Sequence, residues 1–135
     1  MIPTKIKEYP LATLSYDKES NILTYRVKQD IVVDIPEMTE MLRYVEEFMG
    51  YEKHLAVIDF GANVMSSTEA RKIYADSKYI QTYRIADAFV VKSLAVRLVA
   101  NFFIKVTKPK TPTKLFTDEQ FAINWLKKVS IEQLA

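Results

Sequence analysis

The sequence contains no cysteine, two glycines, one histidine and one tryptophan, and each scarcity closes off a kind of chemistry. Without cysteine there is no disulfide, no thiolate metal ligand and no thiol nucleophile. With only Gly50 and Gly61, the chain cannot build a Gly-x-Gly-x-x-Gly turn or a Walker loop, which need several residues without a β-carbon where backbone amides approach phosphates. The lone His54 has no second histidine or cysteine to share a metal ion. No Gly-x-Ser-x-Gly sequence offers it a serine nucleophile, and it reads as a surface or rim imidazole at the entrance to a strand. No apolar run approaches the ~18 residues of a membrane span, and the N-terminal Met-Ile-Pro-Thr-Lys-Ile-Lys-Glu lacks the apolar core of a signal peptide. Together these absences predict a cytoplasmic protein that is not an enzyme and carries no metal and no cofactor.

What is present points to a packed core. Hydrophobic residues make up 49% of the 135 positions and charged residues 27%, an ordinary globular balance in a chain of one-domain length, so residues 1–135 are read as a single domain. The net charge of +2 is unevenly spread. Residues 1–60 carry 7 basic and 11 acidic side chains and residues 61–135 carry 12 and 6, giving −4 and +6. Such a polarity steers an anionic partner or helps two copies associate more than it shapes a fold.

The order of apolar periods defines the elements. Residues 6–16 and 22–27 are rich in Leu, Tyr, Thr and Val, and the polar stretch 17–21 between them is turn chemistry, so the chain opens with a β-hairpin. Within the second strand Leu23, Tyr25 and Val27 share one face, and Thr24 and Arg26 the other. A short piece, 31–33, adds a candidate strand. Pro36, Glu37 and Glu40 suit a helix start, and Met38, Met41, Leu42, Val45 and Phe48 recur at helical spacing until Gly50.

Residues 55–60 and 86–91 are apolar runs without polar alternation, the pattern of strands buried on both faces. Between them, Ala70, Ile73, Tyr74 and Ser77 mark the inner face of a second helix. A third helix spans 94–106 and a short strand 113–116. Thr117-Asp118-Glu119-Gln120 is a capping box opening a last helix with Phe121, Ala122, Trp125, Leu126 and Val129 inward. The sum is an α/β fold: a mixed sheet of about five strands, an antiparallel hairpin followed by parallel β/α units, covered by about four helices.

Three places carry candidate binding residues. Asp59 ends a central strand, where ligands of α/β folds bind. Its alternatives are a Mg²⁺ ligand together with Asp87 or Asp34, or a carboxylate capping the next loop; the second is the commoner, and no metal site is assigned. Ser66-Ser67-Thr68-Glu69 then opens the second helix. Ser66 and Glu69 have capping-box spacing, and one of the hydroxyls is also a candidate phosphate acceptor, with Arg71 and Lys72 close enough to tolerate the added charge.

In the third helix the polar residues Arg97, Asn101 and Lys105 form one stripe and apolar residues fill the rest. That places the helix at the domain centre, at a homodimer interface, or beside an apolar ligand held by Leu98, Phe102 and Phe103. Lys105, Lys108, Lys110 and Lys114 form a basic cluster, and Tyr79 and Tyr83 stand near Arg84. With no recognition helix or aromatic platform motif, nucleic-acid binding is not expected.

The element order and the stretch 59–71 resemble the STAS domains, the anti-sigma-factor-antagonist family of bacteria, and especially their SpoIIAA-like branch. Val57-Ile58-Asp59-Phe60 is similar to that family's central strand, and Ser66-Ser67-Thr68-Glu69 occupies its Asp-Ser-Ser-Gly helix start, with Ser66 in place of Asp and Glu69 in place of Gly. The residues from Lys114-Leu115-Phe116 through Phe121-Ala122-Ile123-Asn124-Trp125-Leu126 are similar to the branch's Phe-x-Asp-x-x-x-Ala-x-x-Trp-Leu ending. The resemblance implies a divergent member with Ser67 and Thr68 as candidate phosphate acceptors. It also implies a non-catalytic regulatory or protein-interaction role, with a homodimer or protein partner. The alternative is a carrier of a lipid-like or apolar ligand, since lipid-transfer domains share the fold.

Overall fold

Pro10 has no amide to give to a β-ladder, and the chain turns there, the Tyr9 amide donating to the Ala12 carbonyl at 2.8 Å. The segment expected as one strand over 6–16 is therefore two, β1 (Lys5–Glu8) and β2 (Ala12–Asp17), and β2 forms the expected hairpin with β3 (Ile22–Val27). The computed structural model describes residues 3–134, the last by its backbone alone, so Met1, Ile2 and Ala135 of the single domain expected over 1–135 lie outside the described residues. After β3 come β4 (Ile31–Val33), α1 (Ile35–Met49), β5 (His54–Gly61), β6 (Val64–Ser66), α2 (Thr68–Asp76), α3 (Lys78–Tyr83), β7 (Arg84–Val91), α4 (Leu94–Phe102), β8 (Thr113–Phe116) and α5 (Glu119–Leu134). A π-helical turn, Phe103–Thr107, extends α4.

The main sheet has the order β1-β2-β3-β5-β7-β8. β1, β2 and β3 pair antiparallel, while β3, β5, β7 and β8 run parallel, so the expected mixed α/β architecture is present. It has six strands rather than about five because Pro10 divides the first segment. It has five helices rather than four because Ser77 ends α2 and caps α3, its hydroxyl accepting from the Ile80 amide. The short strands β4 and β6 pair with each other in a separate parallel ribbon.

Side-chain alternation divides the interior into two layers. On one face Leu23, Tyr25, Ala56, Ile58, Phe89 and Val91 pack under α1, α2 and α4. On the other, Ile22, Leu55, Val57, Ala86, Ala88 and Val90 pack against Ala122, Ile123 and Leu126 of α5. Asp118, rather than Thr117, caps α5, accepting from the Gln120 and Phe121 amides. Phe121, expected inward, points to solvent, because Ala122 one position on already faces the sheet.

The crossing from β5 to β6 is fixed by one side chain. Gln29 donates to the Val27 and Phe60 carbonyls and accepts from the Ala62 and Asn63 amides. Gly61 sits beneath it at φ +61°, and a β-carbon there would lie 2.5 Å from the Gln29 amide nitrogen. Glycine is needed here both for its conformation and for the close approach. Among the described residues no helix is long and apolar enough to cross a membrane.

Candidate functional site

The parallel ribbon brings two helix starts side by side. β4 leads into α1 through Asp34, whose carboxylate accepts from the Ile35 amide while Glu37 accepts from the Asp34 amide, a reciprocal capping box. β6 leads into α2 through Ser67, whose hydroxyl accepts from the Ala70 amide at 3.1 Å and donates to Asp34 Oδ1 at 2.8 Å. That bond and the Ile35 amide hold the Asp34 carboxyl below its ordinary range. The cap of α2 is thus Ser67, not Ser66 as the capping-box spacing suggested, because Ser66 still belongs to β6.

Arg71, one turn into α2, folds back over this start. Its guanidinium donates to the carbonyl and hydroxyl of Ser66 at 2.5 and 3.0 Å and to the hydroxyl of Thr68 at 3.2 Å. The candidate residues Ser66, Ser67, Thr68 and Arg71 are therefore joined by hydrogen bonds, while Glu69 is exposed. Of the two candidate phosphate acceptors, Ser67 is committed to Asp34 and to the helix cap, and Thr68 is exposed beside the guanidinium.

Behind this rim lies a cavity of about 90 Å³, partly open to solvent. Met38, Met41, Leu42 and Val45 of α1 line one wall, and Val96, Val99, Ala100 and Phe103 of α4 and its π-turn line the opposite one. Tyr25, Ile58 and Phe89 of the sheet form the floor, and Ser66, Arg71, Tyr74 and Arg84 supply the polar groups. A mostly apolar hollow with a few convergent polar groups has the composition of a small-molecule site.

One polar group at the floor is internally satisfied. Arg84 and Asp87 form an ion pair at 2.5 Å with side chains 1% and 0% exposed. The same guanidinium donates to Tyr74 Oη and, through Nε, to His54 Nε2, both at 3.0 Å, and the Tyr74 hydroxyl donates to Asp87. His54 Nδ1 faces the Glu52 carbonyl at 2.9 Å, so the ring is the neutral tautomer with its proton on Nδ1. Burial and the Arg84 charge push its pKa down to about 3, and burial with the Asp87 charge drives the Tyr74 phenol well above its ordinary 10.

His54 is thus fully buried, not a rim imidazole. The parallel pairing of β5 with β7 sets it against Arg84, a partner thirty residues away that no local signal announces. Arg84, read with Tyr79 and Tyr83 as part of a basic aromatic cluster, points inward, and Tyr79 donates to the Gly50 carbonyl at 2.6 Å.

The remaining candidates lie elsewhere. Asp59 pairs with Arg26 at 2.8 Å and accepts from the Gly61 amide at 2.8 Å, so it does cap its loop. Asp34, Asp59 and Asp87 have separate partners, and no group of three metal-ligating side chains occurs among the described residues. Arg97 and Asn101 border a shallow hollow with Lys114, Phe116 and Phe121. Leu98 and Phe102 face solvent rather than the cavity; of the three residues expected beside an apolar ligand, only Phe103 lines it. The third helix is not central: its one face closes the cavity and its other lies open. Met38, Leu42, Val99 and Tyr74 line the cavity unannounced, since a helical stripe facing a void has the same periodicity as one facing a filled core.

Comparison with known proteins agrees with this architecture. Residues 16–130 match the family described as "Domain of unknown function (DUF7793)". Among solved structures the chain is similar to an uncharacterized protein of the DUF3478 family with a SpoIIAA-like fold from Shewanella loihica PV-4. The two are 17% identical, the likeness covers 90% of each chain, and the TM-score is 0.54. The SpoIIAA-like fold expected from the sequence is therefore borne out. No curated protein matches the chain.

Proposed function

The chain belongs to the DUF7793 family, a domain of unknown function, and we propose that it is a non-catalytic binding domain of the regulatory kind, whose ligand occupies the cavity between α1, α2 and α4. The observation that carries this reading is the space itself: a hollow of about 90 Å³, partly open to solvent and walled by Met38, Met41, Leu42, Val96, Val99 and Phe103, in a protein whose opposite layer is closed by Leu126 and Ala122. Interiors pack to crystal-like density, and an apolar hollow that opens onto a polar rim supports a binding role. The groups that would have to move protons are held in place: burial, with the Arg84 charge, keeps His54 neutral, and burial, with the Asp87 charge, keeps Tyr74 protonated. The apolar-carrier reading thereby takes precedence over a purely surface role.

The test is saturable uptake of an environment-sensitive apolar dye by the purified protein, repeated with Ala100→Phe, which places a ring in the space. Saturable binding that the substitution weakens by about 10-fold or more is expected. Wild-type protein that takes up no dye and co-purifies with no small molecule in native mass spectrometry would sink the proposal.

A second reading is favoured by a different observation. Leu94, Leu98, Phe102 and Val106 are 67%, 60%, 50% and 60% exposed and stand four residues apart along the outer side of α4 and its π-turn. An apolar stripe of this kind suits association with a second copy or a protein partner, and it is compatible with a ligand inside.

A further inference from the structure

The polarity of the cavity rim specifies the ligand, an inference that rests on the cavity reading above. Arg26, Arg43 and Arg84 each lie within ion-pair distance of a carboxylate. Among the described residues Arg71 does not; its bonds go to the neutral oxygens of Ser66 and Thr68. A guanidinium carries five N–H groups in a planar fork suited to carboxylate and phosphate, so donors remain beyond these three bonds.

Arg71 is also half-buried and lines the same space as Met38, Leu42 and Val99. A cation at the edge of an apolar volume is partly desolvated without a counter-charge, and an anion delivered there relieves that deficit. Arg84 cannot serve in this way because Asp87 already neutralises it. Glu69, in the same turn of α2, is exposed and makes no ion pair with Arg71.

We infer that the cavity takes a single-chain amphiphile with an anionic head. Its apolar chain lies among Met41, Val99 and Phe103, and its head, a carboxylate or a phosphate, is held by Arg71 at the start of α2. The head-group test is calorimetric titration of the full chain with decanoate, decyl phosphate and decan-1-ol, which share a tail and differ at the head. Charge-assisted hydrogen bonds from Arg71 make an anionic ligand at least about 10-fold tighter than the alcohol.

Arg71→Gln is expected to erase that preference by weakening the anions at least about 10-fold more than the alcohol, and Arg71→Lys, which keeps the charge and loses the fork, to fall between. Tight binding of only one of the two anions supports the inference and identifies the head. Decan-1-ol binding wild type as tightly as both anions overturns it, as does an Arg71→Gln protein that keeps the preference. If Arg71→Gln fails to fold, the wild-type comparison alone decides. No binding by any of the three probes would instead count against the cavity reading.

Discussion

At the scale of single residues, the most constrained group is His54. Its Nε2 accepts from Arg84 and its Nδ1 faces the Glu52 carbonyl, so a second ring proton would have to point at a guanidinium. Folding lowers its pKa from 6.5 to about 3. Above pH 6.5 folded and unfolded chains both carry the neutral ring, and the stability it permits is fully present. As pH falls from 6.5 toward 3 the unfolded chain takes up a proton that the folded one refuses, and stability drops by up to about 1.4 kcal/mol per pH unit from this site. Urea unfolding at pH 7.5, 6 and 4.5 is expected to show a shallower acid loss for His54→Gln than for wild type. The exposed carboxylates Asp34, Glu40 and Glu47, also held low, are common to both proteins and cancel in the difference. Identical slopes would refute this account. The sequence located the ring at the strand entrance, but its burial was illegible, because Arg84 becomes its partner only when β5 and β7 pair in register.

At the scale of elements, periodicity showed where apolar faces lie and not always what covers them. For α1, Met41, Val45 and Phe48 are buried as their spacing indicated, and Gly50 ends the helix at φ +64°. For α4, the nearly continuous apolar circumference was equally compatible with a central helix, an interface or a ligand wall. The structure shows Val96, Ala100 and Phe103 turned inward and Leu98 and Phe102 outward. The outward stripe leads to a separate prediction. Light scattering across a concentration series is expected to show a dimer that Leu98→Asp with Phe102→Asp dissociates, weakening association by at least about 10-fold. Both positions are exposed, where substitutions change stability by about 0.5 kcal/mol or less, so the double variant remains folded. A wild-type protein that is monomeric at every concentration and recovers no partner in a pull-down removes the association reading.

At the scale of the whole molecule, the order of strands and helices was legible because buried parallel strands and amphipathic helices leave different apolar periods. The polar contacts that join distant segments were not. Gln29 holding the β5–β6 crossing, Asp34 bonded to Ser67, and Arg26 bonded to Asp59 and Glu119 all depend on tertiary neighbours that no local pattern encodes. The same holds for the cavity, which exists because α1 and α4 stand apart over the sheet with α2 at one end. The hollow also has a mechanical consequence. Hydrostatic pressure favours whichever state has eliminated more internal void, so compression acts on the space beneath α1 and α4. A molecule that filled it would remove that void, and the occupied protein would then resist pressure better than the empty one.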